Sequence, residues 1–147
     1  MLEKMIEMIE KNASSMAEDL KERLLNNPDT KSFQTLDDKA LYEDIHALYS
    51  RLGYWLMRDP EKGDVRSYYT ELGKRRRMDG FSLSELVRSL ILMKRHIWDT
   101  VLQKGIMDAP VELNSGIDLI TYLNRFFDFA IYYTTLGYYK SLGVNLT

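Results

Sequence analysis

The sequence contains no cysteine, three prolines and two histidines in 147 residues. Without cysteine, the chain has no disulfide framework, no thiolate nucleophile and no cysteine-ligated zinc or iron–sulfur site. This composition suits a reducing compartment, so we expect a cytoplasmic protein. The chain also lacks an apolar run of transmembrane length, and its start, MLEKMIEMIEK, lacks the basic-then-apolar order of a signal peptide. We therefore predict a soluble protein with no membrane partner.

The chain also lacks a basic excess, since its formal net charge is −2. A nucleic-acid-binding surface is usually net basic, so we predict no nucleic-acid partner. One basic run, KRRR at residues 74–77, stands against this balance. Such a run is more typical of a solvated helix C-terminus that complements the helix dipole than of a phosphate site.

What the chain does have is enough apolar sequence, 45% of its residues, to bury the core of a single domain spanning residues 1–147. No segment alternates with a period of two, and good helix formers dominate. Five predicted helical segments are separated or ended by helix-breaking residues. These residues are Pro28, Pro60, Gly80, Pro110 and Gly143. We predict an all-α fold, a five-helix bundle or globin-like domain.

The first segment, residues 2–25, carries a narrow heptad stripe that suits packing against one other helix, in the same chain or in a second copy. The stripe comprises Leu2, Ile6, Ile9, Ala13, Met16 and Leu20. The second and third segments, near residues 38–58 and 64–78, have ordinary amphipathic patterns.

The fourth segment begins with the strongest local motif, GFSLSEL. Ser82 stands at the N-cap and Glu85 three residues later, a spacing that lets hydroxyl and carboxylate each satisfy a free backbone donor. Phe81 and Leu86 flank them as a hydrophobic staple. The helical period then places Lys94 within the apolar face and His96 on the polar side. We expect the Lys94 ammonium to reach water along its aliphatic stem.

The last segment contains the stretch FFDFAIYYTTLGYYK, residues 126–140, with seven aromatic rings. Projected on a helix, it is apolar around most of its circumference, so it is either the central helix or is shared between the core and a second subunit. The tyrosine density favours an interface, because a tyrosine ring fills space while its hydroxyl still needs a partner. The predicted homodimer interface comprises Ile6, Ile9, Phe126, Phe129, Tyr132, Tyr133 and Tyr139.

The sequence offers little apparatus for chemistry. Glu43 and His46 have the Glu-x-x-His spacing of a di-iron site, but such a site needs the motif twice, and Met93 stands three residues before His96. Haem would need an inward histidine, whereas the period turns His96 outward. Glycine-rich phosphate loops and nucleophile–base pairs are absent. We predict no metal, no cofactor, no catalytic residue and no enzyme activity.

An alternative function is small-ligand or cofactor binding in a pocket between the third and fourth helices. Its predicted lining residues are Tyr69, Arg76, Lys94 and Trp98. Arg76 projects on the apolar side of its helix, so we expect it to pair with a carboxylate, Asp128 being one candidate.

The order YYTELGKRRRMDGFSLSELVRSLILMKRHIW followed by FFDFAIYYTTLGYY resembles the N-terminal domain family of the RsbT co-antagonist proteins, the RsbR-type stressosome sensors, a domain also found ahead of sensor histidine kinases. The resemblance runs from about the first helix to Tyr139. The matching residues are Leu72, Gly73, Arg75, Arg76, Arg77, Gly80, Leu83, Glu85, Leu86, Trp98, Phe127, Asp128, Gly137 and Tyr138.

This resemblance implies an all-helical, globin-related sensory domain that holds no haem, forms a homodimer and passes a signal to an output module. Family members usually carry a STAS or kinase module downstream, whereas this sequence stops at Thr147. The chain is then either a free-standing relative or a fragment cut at a domain boundary. The implied role is bacterial signal transduction, regulatory and not catalytic.

Overall fold

A computed structural model describes residues 2–61, 63–104 and 110–143. Within these ranges the chain forms seven α-helices and one 3-10 segment, without a strand. The predicted all-α class is confirmed, but the predicted count of five helices is wrong. The elements are α1 (Leu2–Lys11), α2 (Ala13–Asn26), the 3-10 segment (Pro28–Thr35), α3 (Asp38–Tyr49), α4 (Leu52–Met57), α5 (Gly63–Met78), α6 (Leu83–Gln103) and α7 (Pro110–Ser141).

The additional elements arise from breaks that the hydrophobic pattern does not record. Asn12 separates α1 from α2, and its side-chain amide donates a hydrogen bond to the Met8 carbonyl at 2.7 Å. Asparagine side chains compete in this way with the backbone bonds of a helix. Arg51, with φ −126° and ψ 32°, separates α3 from α4. Pro28 opens the 3-10 segment, where the Asn27 side chain accepts from the Asp29 amide.

The start of α6 agrees in part with the predicted capping box. Ser82 is the N-cap and accepts a hydrogen bond from the Glu85 amide at 3.3 Å. The Glu85 carboxylate, however, binds the backbone amide and hydroxyl of Ser32 in the 3-10 segment. Tertiary contact has therefore redirected one half of the local motif.

The buried apolar side chains form one cluster, to which every helix contributes. The long helix α7 is covered by α5, α6, α1 and α4. Phe126 and Phe127 are consequently enclosed within a single chain, and so is Tyr133, whose hydroxyl donates to the Glu61 carbonyl at 3.0 Å. These three rings are therefore buried without any contribution from a second subunit. No helix within the described ranges is long and apolar enough to cross a membrane.

Helices α5 and α7 pack against each other through two six-residue sequences, one in each helix, that differ at a single position. Residues 68–73 read YYTELG and residues 132–137 read YYTTLG. The glycine that ends each copy, Gly73 or Gly137, faces the backbone of the other helix. The two helices approach closely because neither side presents a Cβ atom at the crossing.

Candidate functional site

A cavity of about 90 Å³ lies among α2, the 3-10 segment and helices α3 to α7. Its inner wall is apolar and comes from buried side chains, including Leu24, Phe33, Ile45, Leu48, Leu86 and Leu90. Its outer part is lined by half-exposed side chains, Asp44, Trp55, Tyr68, Leu72 and Met93. The cavity thus has an apolar interior and a mouth at the protein surface, as small-molecule sites commonly do.

Aromatic rings form the side of the cavity next to α7. Trp55 packs against Tyr68 and Tyr69, with ring centroids 5.6 and 6.4 Å apart, and Tyr69 packs edge-on against Phe126 at 5.7 Å. Burial raises the pKa of Tyr69 far above its ordinary value, and burial also raises the pKa of Tyr68. Both phenols are therefore neutral at physiological pH and can serve only as hydrogen-bonding groups.

Arg76 lies at the edge of this cavity and joins α5 to α3. Its guanidinium contacts the Asp44 carboxylate at 2.9 Å and the Asp79 carboxylate at 3.2 Å. The expected pairing with a carboxylate is present, but Asp128, the suggested partner, is exposed on α7. The positive charge of the one guanidinium that lines the cavity is thus already paired with two carboxylates.

Thr134 is the polar group most deeply placed on the cavity wall. It is 0% exposed, and its Oγ1 atom has no hydrogen-bond partner among the described residues. Other helical threonines behave differently, since Thr121 and Thr135 each donate to the carbonyl four residues earlier at 2.8 Å. A buried hydroxyl left without a partner is uncommon in folded proteins and requires an explanation.

Two of the four residues predicted for a ligand pocket, Tyr69 and Arg76, line this cavity. The other two, Lys94 and Trp98, are half-exposed and are not part of its lining. The helical period had placed them on the inner face, but α6 is turned so that Ser89 and His96 are buried instead. The tryptophan that lines the cavity is Trp55 of α4 and not Trp98 of α6. Its proximity to Tyr69 depends on how α4 packs against α5, which the sequence pattern does not show.

His96 is buried, and the prediction that it points to solvent is wrong. It is 3% exposed, its Nδ1 lies 2.8 Å from the Tyr49 hydroxyl, and its Nε2 lies 2.8 Å from Asp19 Oδ2. Burial lowers the pKa of His96, and this outweighs the opposing effect of Asp19. The imidazole is therefore neutral at pH 7: Tyr49 donates to Nδ1, and the Nε2–H group donates to Asp19.

This Tyr49–His96–Asp19 arrangement joins α3, α6 and α2 in the core. Burial raises the pKa of Tyr49 well above its ordinary value, so its hydroxyl keeps its proton. Tyr49 is 0% exposed and His96 is 3% exposed, so both rings are buried, whereas the Asp19 side chain is 52% exposed. The arrangement resembles a proton relay in composition, but its position makes it a structural tie. Within the described residues, no three His, Asp or Glu side chains cluster as a metal site would require.

Four of the seven residues predicted for the dimer interface lie in the core of one chain, namely Ile6, Ile9, Phe126 and Tyr133. Helical periodicity shows which residues share a face but not what covers it, and other helices of the same chain cover these four. Phe129 and Tyr139 are half-buried, and Tyr132 is 53% exposed. Only these last three have surface to offer to a partner.

Comparison with known proteins agrees with the resemblance noted in the sequence. The family model described as RsbT co-antagonist protein rsbRD N-terminal domain matches residues 15–141. No curated protein and no solved structure matches the chain. The matched region contains every residue of the cavity, from Leu24 to Thr134, and excludes the whole of α1. Since the match covers most of its length, the chain belongs to the RsbT co-antagonist protein rsbRD N-terminal domain family, a family of signalling domains.

Proposed function

We propose that this chain is a non-catalytic sensor or scaffold domain that acts as a homodimer and couples a stimulus to a downstream output partner of the stressosome or histidine-kinase type. Family membership supports the signalling role. The output partner would carry a STAS or kinase module, and the expected location is the bacterial cytoplasm. A globin-like relationship remains a prediction of the resemblance.

The observation that carries the homodimer is a set of large exposed side chains on α7, which lie among exposed polar residues such as Thr121, Asn124 and Asp128. Leu113, Ile117 and Tyr132 are 51%, 56% and 53% exposed, respectively. Helical spacing places Tyr132 and Tyr139 on the same side, a full two turns apart. Tyr132 and Tyr139 support an interface because tyrosine is enriched where proteins meet, its ring being apolar and its hydroxyl polar. A second copy of the chain is the partner that we propose.

The same helix connects this surface to the cavity. Thr134 lines the cavity, and Tyr132, two residues earlier, faces outward. A rotation or shift of α7 caused by an event in the cavity would therefore move the proposed interface as one rigid unit. This arrangement supports a sensor that reports to a partner, because the two sites share a single structural element.

Light scattering with size-exclusion chromatography at micromolar concentration tests the homodimer. We expect the wild-type chain to elute with twice its mass of 17.3 kDa. The substitutions Ile117→Glu and Tyr132→Glu should yield monomers, since each places a charge on the proposed interface. Met78→Glu is the matched control, because Met78 is 77% exposed at the end of α5. A wild-type monomer would contradict the proposal.

The output coupling requires a second measurement. A pull-down with the chain as bait and the products of its neighbouring genes as prey should recover a STAS or kinase protein. If the dimer is the form that binds, Tyr132→Glu should lower the amount of STAS or kinase protein that is recovered. If no such protein is recovered, the coupling to this class of output is wrong.

A further inference from the structure

We propose that the cavity binds a small, neutral, mainly apolar molecule whose single hydroxyl group pairs with Thr134. This inference deepens the proposed sensor function, on which it rests, by naming the chemical class of the stimulus. Four properties of the cavity support it: its volume, its charge balance, the unpartnered Thr134 hydroxyl and the mouth between α3 and α5.

The volume of about 90 Å³ exceeds by several times the roughly 10–15 Å³ that one water molecule needs. Apolar cavities of about 150 Å³ bind benzene. This cavity is smaller but opens at a mouth, so a ring-sized molecule can extend from the inner wall toward solvent. Its walls are dominated by leucine, isoleucine and aromatic side chains, which select an apolar body.

The charges around the cavity disfavour an anion. The guanidinium of Arg76 is already paired with Asp44 at 2.9 Å and with Asp79 at 3.2 Å. A carboxylate ligand would have to displace one of these partners or lie beside it. A cation deep in the cavity would meet apolar side chains and neutral phenols, and at the mouth it would lie beside the Arg76 guanidinium as well as the Asp44 carboxylate. The site is therefore complementary to an uncharged molecule.

Thr134 supplies the polar contact. Its hydroxyl is fully buried and lacks a partner among the described residues, whereas Thr135, the next residue, bonds the Ile131 carbonyl. A ligand hydroxyl can either donate to a threonine hydroxyl or accept from it, so one hydrogen bond gives both groups a partner. Tyr69, whose buried phenol is neutral, adds an aromatic surface on the wall of the same cavity.

The mouth gives the ligand a route into the cavity, on whose wall Thr134 lies. Tyr68 and Leu72 of α5 and Asp44 of α3 are half-exposed lining residues, and the Arg76–Asp44 ion pair joins the two helices. The side chain of Asp44 is 42% exposed, so the ion pair is accessible to water and can open without unfolding the core.

Fluorine NMR with three matched probes tests the inference on the whole chain. We expect 4-fluorophenol to bind, fluorobenzene to bind about tenfold more weakly, and 4-fluorobenzoate not to bind at the same concentrations. The loss for fluorobenzene corresponds to one hydrogen bond. Equal binding of the phenol and the benzoate would overturn the neutral-ligand assignment. No binding of any probe, with the cavity occupied only by water, would overturn the site.

Two variants locate the binding. Thr134→Val should reduce the affinity for 4-fluorophenol about tenfold and leave that for fluorobenzene unchanged. Leu72→Trp, which fills the mouth from a half-exposed position, should abolish binding of both probes while its circular dichroism spectrum stays helical. Unchanged phenol affinity in Thr134→Val, or retained binding in Leu72→Trp, would place the probes elsewhere. Because these measurements require neither dimer nor output partner, failure here with an intact dimer rejects the ligand class alone.

Discussion

Gly73 of α5 and Gly137 of α7 occupy reciprocal positions at the crossing of their helices. A Cβ atom added to Gly73 would overlap the Thr134 carbonyl oxygen and approach the Tyr138 amide nitrogen to 2.9 Å. One added to Gly137 would overlap the Thr70 carbonyl oxygen. In both cases the obstacle is backbone, which cannot turn aside as a flexible side chain can. This contact fixes the distance between the helix that lines the cavity mouth and the helix that carries Thr134.

Substitution of either glycine by alanine should therefore destabilise the fold. We expect Gly73→Ala and Gly137→Ala each to lower the free energy of unfolding by about 1–3 kcal/mol or more, because the helices must separate to admit the methyl group. Urea denaturation followed by circular dichroism measures this change. Gly53→Ala is the control, since its Cβ would meet only side-chain atoms of Ile6 and Glu10, at 3.2 and 3.5 Å. A control as unstable as the test variants would point to helix geometry in general and not to this crossing.

Thr134→Val should stabilise the ligand-free chain. The substitution keeps the shape of the side chain and removes a buried hydroxyl that has no partner, so we expect a gain of about 1 kcal/mol in the free energy of unfolding. Thr135→Val provides the comparison, because the Thr135 hydroxyl already bonds the Ile131 carbonyl at 2.8 Å. Thermal denaturation of the two variants side by side decides the matter. A loss of stability in Thr134→Val would mean that the hydroxyl is satisfied in solution.

Stability should decline as the pH falls below the unfolded-state pKa of His96. Burial lowers the pKa of the folded-state imidazole below the ordinary value of 6.5, so the unfolded chain binds a proton that the folded chain resists. The stabilisation is fully present above about pH 7.5 and is lost progressively as the pH falls through 6.5 toward the folded-state pKa. The groups around the ring are Asp19 and Arg23 of α2, Tyr49 of α3 and Asp99 of α6.

The measurement is the free energy of unfolding from pH 8 to pH 5.5. His96→Gln should be less stable than wild type at pH 8 and should show a flatter pH dependence in this window. His46→Gln is the matched control, because His46 is half-exposed on α3, and it should keep the wild-type slope. An unchanged slope in His96→Gln would show that another group causes the pH dependence.

Glu85 should stabilise the fold through its charged form. Burial raises the pKa of this carboxyl, but the hydrogen bonds donated by Ser32 and Ser82 outweigh that effect and leave the pKa lowered. Its contribution is therefore present above the ordinary pKa and is lost as the pH falls through the lower folded-state value. We expect Glu85→Gln to cost about 1.5–3 kcal/mol at pH 7, typical of hydrogen bonds to a charged group.

Chemical denaturation at pH 7 and pH 3.5 measures the contribution of Glu85. The difference between wild type and Glu85→Gln should shrink at the lower pH, because the wild-type carboxyl is then more protonated. Glu71→Gln serves as the control, since the Glu71 side chain is exposed on α5. A difference that is the same at both pH values would contradict a role for the charge.

The local sequence predicted those features that depend on neighbouring residues. The N-cap at Ser82, the helical class and the end of α5 near Gly80 follow from side chains within one or two turns. Breaks inside continuous hydrophobic patterns were missed, as at Asn12 and Arg51, since the apolar stripe passes through both. Amide competition and an irregular backbone at one residue do not change the hydrophobic period.

By itself, the sequence determined that the chain is helical, that it has a core of leucine and aromatic residues, and which signalling family it resembles. The tertiary structure decided which faces meet. It buried His96 against Tyr49, turned Lys94 and Trp98 away from the cavity, and enclosed Phe126 and Tyr133 in one chain. The physical reason is that periodicity fixes the direction of a side chain relative to its own helix axis. The rotation of each helix about that axis depends on contacts between residues far apart in sequence, such as the meeting of Gly73 with α7.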